Sequence, residues 1–514
     1  MGTADPIKHH SDSKKQEVNK MSAKKIFRVL AMMSAVLMMT TLLLTSCGEK
    51  NPSSDPGTSS SANTDPVTIR IAGEGQMLVT LLGKKYTALH PNVTIEYYNP
   101  DGQGYVNNEM LIKWSAAGTL PDIVNIDNPE IAYQNDILVD LTSYFNNDPD
   151  KDLLYKDIVK YCTTNDQLLM IPYQLFFSTV MVNKTLIEEN NLDVPEYNWT
   201  VDEFVNIVKK LTVPPQMLGT YDGGLWRYLI PNYDPTLEVC GYRRSDKSWV
   251  VGEAFQAAVD VMADLVLNDY TASERLYATD NSDGTWANWY ALSNKIIGVD
   301  DPWTAWQQGT VATWFESTYW STWDVGNEIY GGQDWDCYPI PVWKEGDTPR
   351  VAVINDNYAI TRGCKNPDVA YDVLKFFTYS KEGFNARMDI WKNYNPEALK
   401  KEYPEMAENN LISDFFSMGL SPIDDQGVRD TWAEMYKAKD GIKYMINHMA
   451  DSNMYLDGGK SVPGFSSVAY DILADAVSNQ VFTGQKSAAD LLTDLQSRAD
   501  AAQKEILDSL NKVK

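Results

Sequence analysis

The chain has 514 residues, 44 Lys and Arg against 70 Asp and Glu, and a formal net charge of −26. A surplus of that sign repels phosphate backbones and anionic headgroups, which excludes nucleic acid and anionic lipid as partners recognised through charge. Of the four histidines, His9 and His10 lie near the start and only His90 and His448 in the body of the chain. That leaves little room for histidine-based catalysis or a His-rich metal centre.

Lys24, Lys25 and Arg28 precede an apolar run over residues 29–44, the charged and apolar parts of an export signal. Leu44-Thr45-Ser46-Cys47 closes that run and resembles the lipobox of bacterial lipoproteins, which implies a diacylglycerol thioether on Cys47 and cleavage just before it. Residues 1–46 are therefore read as a lipoprotein signal peptide. Met21 opens a tighter signal than Met1, so residues 1–20 are an upstream extension. The run of about 16 residues is near the lower limit for a spanning helix, which keeps a permanent N-terminal transmembrane anchor as the competing reading. Both place the remainder outside the cytoplasm and tied to a membrane. Residues 47–66 are Ser, Gly, Pro, Asn and Asp with almost nothing apolar, the composition of a flexible tether. Setting aside residues 1–46, with 7 Lys and Arg and 3 Asp and Glu, leaves 37 basic against 67 acidic side chains.

Val67-Thr68-Ile69-Arg70-Ile71-Ala72 alternates β-branched residues and predicts a strand ending at Gly73-Glu74-Gly75. Leu78, Leu81, Leu82, Tyr86 and Leu89 recur at helical spacing up to Pro91. Residues 93–97 predict a second strand, 110–117 a helix and 122–126 a third strand. This β-α-β-α-β order predicts an α/β fold with a mainly parallel sheet between helices. Ligands of such sheets bind beyond the carboxyl ends of the strands. Residues 168–172 and 178–184 read as two further strands. Thr200 with Glu203 three residues on is a capping box opening an apolar helix.

These features have a recognisable order: a strand ending Pro172-Tyr173, another ending Asn183-Lys184, then Leu192 and Pro195, then Trp199-Thr200 with Glu203-Phe204. The order resembles the extracellular solute-binding proteins of ABC sugar importers, the maltose-binding-like group. Trp306 to Trp314 with Gly309 and Ala312, Tyr338-Pro339-Ile340-Pro341, Asn357-Tyr358-Ala359-Ile360-Thr361, Lys365-Asn366-Pro367 and Phe482-Thr483-Gly484-Gln485 extend the resemblance over about 420 residues. Thr313 stands where the family more often has Met. The resemblance implies a two-lobe α/β fold of the periplasmic-binding-protein type II, with a hinged interlobe cleft that closes on its ligand. Lobe one is expected at 66–172 and 345–395, and lobe two at 176–340 and 396–514, with crossings near 172–176 and 339–342. It further implies a monomer without a cofactor or turnover. Such a receptor binds a carbohydrate, here an oligosaccharide, and delivers it to ABC permease subunits at the outer face of the cell membrane.

The chain carries 15 Trp and 29 Tyr, and nine of the Trp lie between Trp286 and Trp343. Sugar rings lay C–H faces on π systems, and their hydroxyls need directional partners. A sugar cleft therefore combines aromatic platforms with a few acids and amides. Around the polar loop 280–284 and after Gly309 the candidates are Trp286, Trp303, Glu316, Tyr319 and Trp320, with Glu316 and Trp320 foremost. Strand ends add Glu74, Gln76, Asp127, Asn355, Asp356 and Asn357, and the first crossing adds Tyr173 and Gln174. The Gly-rich turn after residue 218 adds Tyr221 and Asp222, with Trp226 just beyond. Asp, Asn and Gly are also ordinary turn residues, which is the alternative at each such position. Trp199 is assigned to packing.

Cys47 apart, Cys162, Cys240, Cys337 and Cys364 are far apart with no C-x-x-C, and their pairing is left open. The sequence has no G-x-S-x-G, Walker A or H-E-x-x-H pattern, and residues 280–283 lack the spacing of an EF-hand loop. No catalytic or metal-binding residue is assigned. Two other readings compete: the same fold holding a peptide, polyamine or other nutrient, since acids and rings also cage cations, and a surface glycan-degrading enzyme or glycan adhesin.

Overall fold

The computed structural model describes residues 65–512, apart from residues 74, 103–105, 222, 272–293, 295–297, 300, 301, 320–332, 414–417, 451 and 452. Thr64–Lys514 forms one compact unit. Val67–Ala72 (β1), Val93–Tyr97 (β2) and Ile123–Ile126 (β3) form where the β-branched runs lie, with Gln76–Leu89 (α1) and Asn108–Ala117 (α2) between them. The Asn107 side chain accepts from the Met110 N–H at 2.9 Å and so caps α2. β1 pairs in parallel with β2 (Val67↔Val93) and with β3 (Ile71↔Ile123). Gly83 lets α1 lie close on β2, because a Cβ there would come within 2.9 Å of Ile95.

Ile171–Asn183 (β4) is a single strand of 13 residues where the sequence predicts two. Pro172 is tolerated because it sits at the start of the strand, where a missing N–H costs least. Burial then runs unbroken to Asn183 except at Gln174, which is half-buried. Leu218–Thr220 (β5), Val311–Ser317 (β6), Trp335–Tyr338 (β7), Val351–Ile360 (β8) and Met454–Leu456 (β9) join the same mixed sheet, nine-stranded among the described residues. Its order is β2-β1-β3-β8-β4-β6-β5, with β7 also on β4 and β9 also on β8.

β4 and β8 run antiparallel through the middle, from Ala352↔Ser178 to Tyr358↔Ile171, with a register slip between Asp356 and Asn357. One end of β8 pairs with β3 (Asn357↔Ile126), while the far end of β4 pairs with β6 and β7 (Ser317↔Ser178, Cys337↔Met181). The chain thus passes between two halves along β4 and β8. The second crossing expected at 339–342 lies instead inside the second half. There the Val342 N–H donates to the Trp199 carbonyl at 2.9 Å and the Val342 carbonyl accepts from Val201 at 2.8 Å.

Each half has a buried core. Ile69, Leu82, Tyr86, Val124 and Phe376 belong to the first, and Trp199, Phe204, Leu229, Phe255, Val468 and Leu495 to the second. The helix Val201–Lys210 (α3) begins at the predicted box. The Glu203 N–H donates to Thr200 Oγ1 at 3.2 Å and the Thr200 N–H to Glu203 Oε2 at 2.7 Å. Residues 396–412, expected in the second half, pack on the first. Met406 and Ile412 cluster with Met77 of α1, and Lys84 pairs with Glu402 at 2.7 Å. The helix Ala488–Leu510 packs on the second core through Leu491, Leu495 and Ala499, and on the first through Leu510. Cys162, Cys240, Cys337 and Cys364 are thiols. Among the described residues no helix is long and apolar enough to cross a membrane, and no three His, Cys, Asp or Glu side chains are grouped to hold a metal ion.

Candidate functional site

Three pieces of chain meet beside the slip in β8: the residues after β3, the middle of β4, and the turn after β9. At their meeting point Lys460 Nζ lies 3.0 Å from Asp127 Oδ1 and in closer contact with Asp356 Oδ1. Gln174 Nε2 donates to the other Asp356 oxygen at 2.7 Å, and Gln174 Oε1 accepts from the Gly419 N–H at 3.2 Å. Asp127 is 69 % exposed, against 15 % for Asp356 and 23 % for Lys460, so the cluster opens to solvent through Asp127. Burial opposes the Lys460 charge, but Asp356 and Asp127 outweigh it and hold the ammonium well above the usual lysine range.

The turn that carries Lys460 is itself fixed on both sides. Asp457 accepts from the Gly459 N–H at 3.1 Å and from the Tyr228 hydroxyl at 2.6 Å. Burial, with Asp457 beside it, pushes the Tyr228 hydroxyl pKa far up, so it stays a donor. Asn128 Nδ2 donates to the Gly459 and Val462 carbonyls at 3.3 and 3.2 Å, and Glu130 Oε2 accepts from the Gly464 N–H at 2.6 Å. Residues following β3 are thereby stitched to a segment whose Phe465 and Val468 are buried in the second core.

β4 carries the site onward to the end of β6. Thr318 Oγ1 accepts from the Phe177 N–H at 2.9 Å, and Tyr319, 42 % exposed, sets its ring edge-on to Phe176 at 5.5 Å. Glu316 is half-buried; burial raises its carboxyl above the usual range, and one oxygen accepts from the Ser317 N–H at 2.8 Å. Phe315 lies 4.6 Å from Tyr228, ring to ring. Gln174 and Ser178 lie on one face of β4 about 13 Å apart, and Glu316, paired with Thr179, lies on the other face. Tyr470, 43 % exposed on the wide π-type helix Ser466–Ala474, stands edge-on to Phe465 at 5.4 Å with the Arg227 guanidinium 6.0 Å from its ring centre.

Other candidates are turned into the protein or lie off this meeting point; Tyr173 borders it, its hydroxyl accepting from Gln174 Nε2 at 3.3 Å. Tyr173 is buried and stacks on Tyr358 at 4.4 Å, its carbonyl accepting from Arg387 Nη1 at 2.9 Å. Trp226 is 2 % exposed in the second core, edge-on to Phe255 at 5.3 Å, because it opens the helix Trp226–Tyr233 with its ring turned inward. Asn355 and Asn357 are fully buried; Asn355 Nδ2 donates to Asn357 Oδ1 at 2.6 Å and Asn125 Nδ2 to the Asn357 carbonyl at 3.0 Å. They shape the slip in β8 from within and present no side-chain face to solvent. Tyr221 is half-buried, 6.0 Å from the Trp314 ring, and Gln76 is half-buried in the first turn of α1. Glu74, Asp222, Trp286, Trp320 and Cys47 lie outside the described residues, as does the side chain of Trp303.

Sequence reasoning missed Lys460, Asp457, Tyr228, Thr318 and Tyr470. Asp457-Gly458-Gly459-Lys460 reads as a solvated turn, and the three residues of β9 are too short to announce a strand end. Tyr470 is hidden because a π-type helix shifts which residues face outward from the 3.6-residue pattern. Away from this meeting point, a cavity of about 450 Å³ is lined by residues including Lys160, Asn165, Arg244 and Lys247. Its Arg244 is already held by Glu238 through two bonds of 2.8 and 2.9 Å.

A sequence profile described as bacterial extracellular solute-binding protein matches residues 73–382. No curated protein matches the chain. Among solved structures, an ABC substrate-binding protein of Listeria monocytogenes in complex with cycloalternan is similar, at 14 % identity and TM-score 0.58, over 86 % of this chain and 99 % of that one. The sugar-binding protein MalE of Xanthomonas citri is similar at 13 % identity and TM-score 0.59, over 87 % and 99 %. The cyclic alpha-maltosyl-1,6-maltose binding protein of Arthrobacter globiformis is similar at 14 % identity and TM-score 0.59, over 86 % and 100 %. At these identities the likeness is one of fold, the mixed α/β architecture of two-lobe sugar-binding proteins.

Proposed function

The chain belongs to the bacterial extracellular solute-binding proteins, and from that premise we propose that it is a receptor for an oligosaccharide, bound where its two halves meet and passed on to an ABC permease. The observation that carries this reading is the meeting point beside the slip in β8, where the Asp127 and Asp356 carboxylates converge with the Gln174 amide, with the exposed ring of Tyr319 on Phe176 further along β4. Asp127, Asp356 and Gln174 accept from or donate to hydroxyls, while Tyr319 and Tyr470 offer faces for C–H stacking. That the similar proteins of Listeria and Arthrobacter are described with cycloalternan and with a cyclic maltosyl-maltose supports a carbohydrate here. Ligand held by one half and then bonded by the other favours the closed form, which is the form a permease would select.

Family membership puts the protein outside the cytoplasm, and Cys47 would anchor it there through lipid. Replacing Cys47 by Ser should release the protein from membranes into the soluble fraction; retention would favour the transmembrane reading of residues 29–44. For the ligand, thermal unfolding of residues 64–514 is followed against neutral oligosaccharides, with amino acids, peptides and polyamines as controls. A ligand at a hundred times its dissociation constant stabilises by about 2.7 kcal/mol, a readable rise. A rise with one glycan class supports the reading; a rise with polyamines or peptides alone removes it.

A further inference from the structure

The turn that aims Lys460 is also gripped by Arg244. Lys460 reaches Asp127 and Asp356, whereas Ser461, the next residue, is bonded to Arg244 instead. Arg244 Nη2 donates to Ser461 Oγ at 3.1 Å and Nη1 to the Ser461 carbonyl at 3.5 Å. Nε and Nη2 of the same guanidinium donate to the two oxygens of buried Glu238, at 2.8 and 2.9 Å. Its face lies over the ring of Tyr161, with the central carbon 4.2 Å from the ring centre. Tyr161 is 3 % exposed and belongs to the first core, while the segments carrying Glu238 and Ser461 are packed in the second through Leu237, Val239 and Val462. One side chain therefore spends its edges within the second half and its face on the first. A planar fork does both at once, which a lysine ammonium cannot.

Taking both charges out of water offsets much of the attraction between Arg244 and Glu238. What the pair supplies is direction: with Glu238 fixing two edges, the guanidinium meets Ser461 and Tyr161 in one orientation. Resting on the reading above that a ligand is held where the two halves meet, we propose that Arg244 is a positioning residue for that ligand. It clasps the turn 457–464 against Tyr161 of the first half, and so sets where Lys460 meets Asp127 and Asp356. The halves stay joined without it, through β4 and β8 and through two bonds from the first half to the end of the last helix. Gln134 Nε2 donates to Ser509 Oγ at 2.9 Å, and Asn165 Nδ2 to the Leu510 carbonyl at 3.4 Å.

Removing Arg244 alone would leave the Glu238 charge buried and unpaired, so the test joins Arg244→Met with Glu238→Gln. Calorimetry on residues 64–514 with maltotetraose, cellotetraose and xylotetraose compares this double variant with the native chain and with Lys460→Met. Coupling between two sites is typically about 5- to 150-fold, so affinity for the tetramer that binds best should fall at least about fivefold. With Lys460→Met already in place the double variant should cost much less, because both act through one turn. Arg244→Lys should bind like the double variant, since charge without the fork does not hold the turn. Hydrogen exchange without ligand reads the clasp itself. The Ser461 and Val462 N–H groups, which donate to the Gly458 carbonyl, and the Gly464 N–H, which donates to Glu130, should exchange several-fold faster in the double variant. Unchanged affinity, a loss that simply adds to that of Lys460→Met, or unchanged exchange at these three amides overturns the proposal. If no tetramer binds the native chain, the carbohydrate reading fails, and the exchange rates alone then decide whether Arg244 holds the turn.

Discussion

Trp226 and Tyr470 are both aromatic and both lie in the second half, yet their burial separates their uses. Trp226 is 2 % exposed and packs on Phe255, so Trp226→Ala should cost about 3–5 kcal/mol of stability in urea unfolding. Tyr470→Ala should leave the unfolding midpoint nearly unchanged and weaken glycan binding by about 1–3 kcal/mol in calorimetry. Equal losses of stability in both variants would contradict that division. A second residue-scale prediction concerns Asp148, buried in the first half, which takes Lys375 Nζ at 2.6 Å and the Tyr379 hydroxyl at 2.6 Å. Burial alone would raise its pKa, but these two partners outweigh burial and hold it below the usual aspartate value. A group lowered on folding contributes stability above its unfolded pKa of about 3.9 and loses it as pH falls through the folded value. Asp148→Asn should thus be less stable than the native chain at pH 7, with the difference closing below about pH 4 in a series of urea midpoints. At this scale the sequence located the end of β3, and with it the place of Asp127, because a β-branched run marks that strand. It was opaque at Lys460, whose partners come from strands more than a hundred residues away.

Elements were read best where a local pattern decides them. β1, β2 and β3 rest on β-branched alternation, α1 on its 3.6-residue stripe, and α3 on the box of Thr200 and Glu203. Thr200→Ala removes the side chain that accepts from the Glu203 N–H and should destabilise by about 1 kcal/mol without changing ligand affinity, as paired urea and calorimetric titrations would register. β4 was misread as two strands because Pro172 and the polar Gln174 interrupt its local pattern. Its continuity comes instead from β8 on one side and β6 and β7 on the other, pairings that no window of sequence contains. The slip at Asp356 and Asn357 is of the same kind. A bulge re-aims a side chain next to a site, and here it separates solvent-reaching Asp356 from buried Asn357.

For the molecule as a whole, the order of motifs carried the α/β class and the solute-binding family. It did not carry which half an amphipathic helix docks on, since residues 396–412 settle against α1 through Met77, Met406 and Ile412, a long-range fit. The two halves are joined by β4, by β8 and by the bonds that tie Asp127, Asn128 and Glu130 to residues 459–464. On the proposed reading, a ligand at that junction would contact both halves at once, and binding would become a signal a permease can read. Hydrogen exchange on residues 64–514, with and without the oligosaccharide that stabilises it most, tests this most directly. The account predicts slowed exchange together at residues 173–178, 355–357 and 457–462, drawn from both halves. Protection confined to one half, or gathered at the cavity around Arg244 and Lys247, would contradict it.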